Sequence, residues 1–107
     1  MEAATILLMG MDIYSIAGMG MEAAARKVEV SANNVANAAT EGYEAKRFET
    51  EAAPDGGVTG KVVPTGEGTD IAKEFIEQIV ASTTYKANAQ VVRTAEDITG
   101  ALLNLKA

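Results

Sequence analysis

The chain contains neither cysteine nor histidine. Without cysteine it has no disulfides and no thiolate metal sites. Without histidine it lacks the commonest general base and the commonest metal ligand, so hydrolytic and metal-dependent enzyme chemistry is not expected. A basic cluster is missing too: 9 Lys and Arg against 15 Asp and Glu leave a formal charge of −6, the wrong sign for a nucleic-acid partner. Long apolar runs are absent. Ile6-Leu7-Leu8-Met9 falls far short of the roughly 20 residues of a membrane span, and no basic leader precedes it, so no cleaved signal is expected.

At 107 residues the chain suits one small domain, which buries a modest fraction of its surface unless partners help. Its acidity is uneven. Residues 41–70 hold seven carboxylates and three cations, whereas residues 71–107 hold four of each, which marks the middle as solvated and the flanks as the structured parts.

Residues 1–11 are expected to be a flexible extension. From Asp12, a plausible N-cap, the pattern turns helical. Ala17, Met21, Ala24, Val28, Ser31, Val35 and Ala38 recur at steps of four and three, a heptad stripe with small residues at one of its two positions. Glu22 and Arg26 form a favourable pair four apart. A helix over residues 13–40 would extend about 42 Å.

Both prolines, Pro54 and Pro64, and five of the ten glycines fall between Phe48 and Thr69. Residues 48–69 therefore read as a loop or short β segment, with Val58–Val63 as a strand that needs a neighbour to pair with. The helical signal returns at residues 70–107. Ile71, Phe75, Ile79, Ser82, Tyr85, Ala89, Val92, Ala95, Ile98, Leu102 and Leu105 are spaced three or four apart, with Thr69 or Asp70 as cap and Gly100 weakening the last turns. The predicted fold is mainly α: two long terminal helices pair as an antiparallel coiled-coil hairpin across a Gly/Pro-rich middle with a possible short β-hairpin. Val30, Ile76, Val80, Val91 and Leu103 lie off both stripes, where a lone hairpin leaves them wet and a neighbouring copy would cover them.

One stretch departs from helix propensity. Asn33, Asn34 and Asn37 are poor helix formers inside an otherwise helical run, and Thr40-Glu41-Gly42-Tyr43 then closes it, with Gly42 free to turn left-handed. The asparagines fit either a solvated, fraying helix end or a polar set that fixes register at a contact. Tyr43 is expected to anchor the exit turn, ring buried and hydroxyl at the edge.

Ser31-Ala32-Asn33-Asn34-Val35-Ala36-Asn37, followed by Thr40-Glu41-Gly42-Tyr43 and Lys46, resembles the N-terminal signature of the bacterial flagellar axial proteins, the rod and hook family. Glu41 stands where that family usually has proline. Tyr85-Lys86-Ala87-Asn88, with Thr94-Ala95-Glu96-Asp97 and Leu102-Leu103-Asn104-Leu105, resembles the family's C-terminal helix, with Thr83 in place of its usual arginine. The two segments cover about residues 12–47 and 69–106. The resemblance implies a structural, non-enzymatic rod subunit in the basal body, exported by the flagellar type III apparatus without a cleaved signal. It further implies contacts with itself and with other rod or hook subunits, no cofactor, no small-molecule substrate and no nucleic acid. Subunit contacts are expected at Ser31, Asn33, Asn34, Val35, Asn37, Gly42, Tyr43, Phe75, Ile79, Tyr85, Asn88, Val92 and Leu102.

Other motifs carry less. Gly18-Met19-Gly20-Met21-Glu22-Ala23 fits the opening of a dinucleotide fingerprint, but the chain has no room for the β-α units that motif serves, and small residues at a tight helix contact explain it better. Gly56-Gly57-Val58-Thr59-Gly60-Lys61 fails as a phosphate loop, since Asp55 occupies the first glycine position and Val62 the Ser/Thr position. Glu74 and Glu77 read as solvated charge on one helix face. The competing functional class is a helical-hairpin adaptor or protein-binding module outside the flagellum.

Overall fold

The computed structural model describes residues 2–106. Helix α1 spans Ala3–Ala36, strands β1 and β2 span Lys46–Ala52 and Val58–Pro64, and helix α2 spans Ile71–Lys106. The helices run antiparallel: Gly20 lies against Asn88, Ser31 bonds Gln78, and Asn34 bonds Glu74. The molecule measures 64 × 24 × 13 Å with a radius of gyration of 18.2 Å, well above the roughly 13 Å of a compact domain this long. The predicted helical hairpin with an inserted β-hairpin is the observed fold.

The helix boundaries differ in part from the periodicity. α1 starts at Ala3, and Asp12 lies inside it as an exposed residue, not as its cap. Alanine, leucine and methionine in that segment are strong helix formers and need no core stripe to be helical. α1 ends at Ala36, four residues before the expected Thr40, because Asn37 leaves helical geometry as the C-cap (φ −104°, ψ 11°). Its side chain donates to Asn33 O at 3.0 Å and accepts from the Thr40 hydroxyl at 3.3 Å. Thr40–Tyr43 then form a turn closed by Tyr43 N–H to Thr40 O at 3.2 Å, with Gly42 at φ +77°, the third position of a type II turn. At α2, Asp70 is the cap, accepting from Lys73 N–H at 3.2 Å. Thr69 is used elsewhere, donating to Asn34 O at 2.9 Å.

The strand expected at Val58–Val63 finds its partner in Lys46–Ala52, which the sequence pattern did not single out. The strands pair antiparallel from Lys46↔Pro64 to Ala52↔Val58. Phe48 and Val62 border α1, while Arg47, Glu49, Glu51 and Lys61 carry the ion pairs Arg47–Glu49 and Lys61–Glu51. Gly60 makes room for the Phe48 ring, since a Cβ there would lie 2.5 Å from Phe48 Cζ. Pro54 and Asp55 sit in the connecting loop, and Gly56 and Gly57 complete it at φ +91° and +80°. Among the described residues the hairpin packs on α1, and a cleft separates β1 from Lys73, Glu74 and Glu77 of α2. α1 is therefore the middle layer of three.

Among the described residues the buried apolar side chains are all alanines: Ala17, Ala23, Ala24, Ala45, Ala81 and Ala95. Alanine seams let the helix axes approach closely. They also leave the large apolar side chains outside, where Phe75, Ile76, Ile79 and Val80 are 52 to 66% exposed.

Candidate subunit-interaction surface

The seam between the helices changes character along its length. On α2 the residues turned toward α1 are Glu74, Gln78, Ala81, Asn88, Val92, Ala95, Thr99 and Leu102, all buried or half-buried. With Tyr85 at the rim they step by four and three. The expected stripe joins this seam only from about Tyr85 onward. At its start it ran through Ile71, Phe75 and Ile79, which are 46, 52 and 66% exposed, and it also included Ile98 and Leu105, which are 54 and 83% exposed.

The cause lies on α1, which offers Ser31 and Asn34 to the first turns of α2. Buried polar groups must be paired, and Glu74 and Gln78 can pair them while Phe75 and Ile79 cannot. Ser31 Oγ donates to Glu74 O at 3.0 Å and accepts from Gln78 Nε2 at 3.1 Å. Glu74 is thus not the solvated carboxylate its spacing suggested: it is 9% exposed and accepts from Asn34 Nδ2 at 3.0 Å.

Asn34 is the hub of this junction. Only 1% of it is exposed, and both sides of its amide are used in full. Nδ2 donates to Lys46 O at 2.6 Å and to Glu74 Oε1, while Oδ1 accepts from the Tyr43 hydroxyl and from Lys46 N–H, each at 2.9 Å. Two donors and two acceptor sites are the whole capacity of an amide side chain. One residue of α1 thereby holds the exit turn, the start of β1 and the start of α2. Tyr43 points its hydroxyl inward to this amide, not to the edge as expected.

The residues expected at subunit contacts therefore separate by position. Ser31 and Asn34 are buried inside the chain, and Tyr43 is half-buried against Asn34. Val35, Asn37, Asn88, Val92 and Leu102 are half-buried. Gly20 is the close-approach point opposite Asn88, where a Cβ would lie 2.7 Å from Asn88 Nδ2, in keeping with the small-residue account of the Gly18–Ala23 motif. Asn33, Gly42, Phe75, Ile79 and Tyr85 are exposed. Of the apolar residues placed off the stripes, Ile76, Val80, Val91 and Leu103 are 62, 55, 45 and 56% exposed, whereas Val30 is half-buried and borders the clefts beside the hairpin. Leu8, Met9, Ile13 and Ile16 add a second exposed apolar group on α1. Sequence reasoning missed Glu74 and Gln78 because they are polar. Their signal is the heptad step that joins them to Ala81, Asn88 and Ala95.

Among the described residues no helix is long and apolar enough to cross a membrane, and no group of three His, Cys, Asp or Glu could hold a metal ion. What the surface offers is apolar area flanked by charge, the composition of a protein contact.

Compared with known protein families, residues 15–43 match the flagella basal body rod protein family, and residues 65–105 match the C-terminal region of flagellar basal body rod FlgEFG proteins. The matched segments are the body of α1 with its exit turn and nearly all of α2. In both of these segments the chain is similar to flagellar basal-body rod proteins. No curated protein matches it. The rod-family matches begin after the first turns of α1 and skip the β-hairpin, so the shared part is the helix pair and its polar junction. Both families are structural components of the flagellum.

Proposed function

We propose that the chain is a structural subunit of the flagellar basal-body rod, joining copies of itself and other rod or hook subunits through its terminal helices into an axial tube that transmits torque. The observation that carries this is the inverted burial of the helix pair: alanines close the seam while Leu8, Phe75, Ile76, Ile79 and Val80 stay in water. A chain built this way gains little by folding alone and much by packing laterally, at roughly 25 cal/mol per Å² of apolar surface covered. Contacts between unlike patches propagate as an open helical array when the rotation does not close. Passage through the flagellar type III apparatus without a cleaved signal, and residence in the part of the rod that spans the periplasm, complete the proposal.

Light scattering and sedimentation over a concentration series test it. Growth into long, helical-rich particles, or capture by other rod subunits, is the expected result. A chain that stays a fully helical monomer at high concentration and binds no rod subunit overturns it, and leaves the adaptor class as the better account.

A further inference from the structure

We propose that the outward face at the start of α2 receives the N-terminal turns of α1 from a second copy of this chain, a contact that rests on the self-assembly proposed above. Counting heptads from Glu74, the positions turned away from α1 carry Ile76, Ile79 and Val80, and Lys73 and Lys86 flank them at the edges of clefts that α1 also lines, all five exposed. Arg93 continues the basic flank, and Glu77, one turn from Lys73, is the one exposed carboxylate between Lys73 and Thr94. The face is apolar and basic in a chain whose formal charge is −6.

The matching surface is on α1. The β-hairpin covers the back of α1 only as far as its tip, where a Cβ on Gly56 would lie 3.1 Å from Ile16 Cδ1 and one on Gly57 would lie 2.7 Å from Met19 Sδ. One heptad earlier on that same back face stand Met9 and Asp12, with Leu8 beside them. The hairpin does not reach them, and Leu8 and Met9 are 63 and 50% exposed. The part of α1 before the hairpin tip, residues 2–15, contains Glu2 and Asp12 and no cation. An apolar, acidic strip on one helix thus complements an apolar, basic strip on the other, and charge complementarity of this kind sets orientation and rejects wrong pairings. The two strips lie toward opposite ends of the helix pair. Neither can reach the other within one chain, so their contact is heterologous and repeats from copy to copy.

The absence of cysteine provides the test. With Gly20 opposite Asn88, position 8 lies opposite about position 100, some 30 Å along α2 from position 79, far beyond the ~7 Å that a disulfide spans between Cα atoms. Any disulfide between positions 8 and 79 therefore joins two copies. The double variant Leu8→Cys, Ile79→Cys, oxidised under conditions where the unmodified chain assembles, is expected to give a ladder of linked oligomers, while each single variant stops at dimers. Asp12→Lys is expected to raise the concentration needed for assembly about tenfold, and adding Lys73→Glu and Lys86→Glu in the same chain is expected to restore it. Circular dichroism verifies that each variant keeps its helices. Undiminished assembly by scattering, with no ladder and no effect of Asp12→Lys, overturns this contact and leaves the rod proposal standing. Assembly only with a different rod subunit overturns the second copy as occupant. An unmodified chain that never assembles and binds no rod subunit overturns both.

Discussion

The two halves of the helix pair are held together by different chemistry. Where the chain turns back, Ser31, Asn34, Thr69, Glu74 and Gln78 bind α1 to α2 through hydrogen bonds of 2.9 to 3.1 Å. Toward the free ends, Ala17, Ala24, Ala81 and Ala95 with Val92 and Leu102 pack without a cross-helix side-chain hydrogen bond among the described residues. Hydrogen bonds are directional and tolerate little sliding, whereas alanine surfaces are smooth and nearly equivalent from one turn to the next. The turned-back half sets the register of the pair, and the other half follows it.

Replacing Asn34 by Ala is the strongest way to break that contrast. It strands Lys46 N–H and Glu74 and frees the Tyr43 hydroxyl, so a loss of about 3 kcal/mol is expected in chemical denaturation. Asn33→Ala next to it, on the exposed side, should stay within about 0.5 kcal/mol. Gly60→Ala probes whether the hairpin is independent of the pair. The new methyl meets Phe48 Cζ at 2.5 Å and Glu49 O at 2.6 Å, so about 2 kcal/mol of local strain is expected. Amide exchange should quicken in β1 and β2 while α1–α2 protection is retained, because the hairpin packs on the back of α1.

Gly20→Val tests the smooth half. Its side chain invades the space of Asn88, at a net cost of about 1 kcal/mol once the poor helix propensity of glycine is set against overpacking. Asn88→Ala in the same chain should relieve it, as thermal melting of the single and double variants would show. The smallest effect is a gain. Glu41 occupies the second position of the Thr40–Tyr43 turn, which suits proline, and its N–H makes no backbone hydrogen bond. Glu41→Pro should raise stability by about 0.5 kcal/mol, mainly by restricting the unfolded chain, and the denaturation midpoint measures it.

Much of this was legible beforehand. The two long helices follow from apolar residues at steps of three and four in stretches free of proline, and the exit turn follows from Gly42. The family resemblance also rested on residues that proved central, Asn34 and Tyr43 among them. Other features were not legible. Asp12 has the chemistry of a cap, yet the strong helix formers before it carry α1 through to Ala3. Lys46–Ala52 looked like solvated chain because its outward positions are charged and its single large apolar residue, Phe48, marks no period. The face of α2 was assigned by hydrophobicity, which favoured Phe75 and Ile79 over Glu74 and Gln78.

By itself, then, the sequence determined that there are two helices, roughly how long they are and where the chain turns, because propensity and capping act over a few neighbouring residues. Only the tertiary structure decided which side of each helix faces inward. That choice depends on whether a buried amide and hydroxyl on α1 find partners 40 or more residues away. An unpaired polar group in the seam costs more than an isoleucine left in water, so Ser31 and Asn34 drew Glu74 and Gln78 inward and turned Phe75 and Ile79 out to the surface.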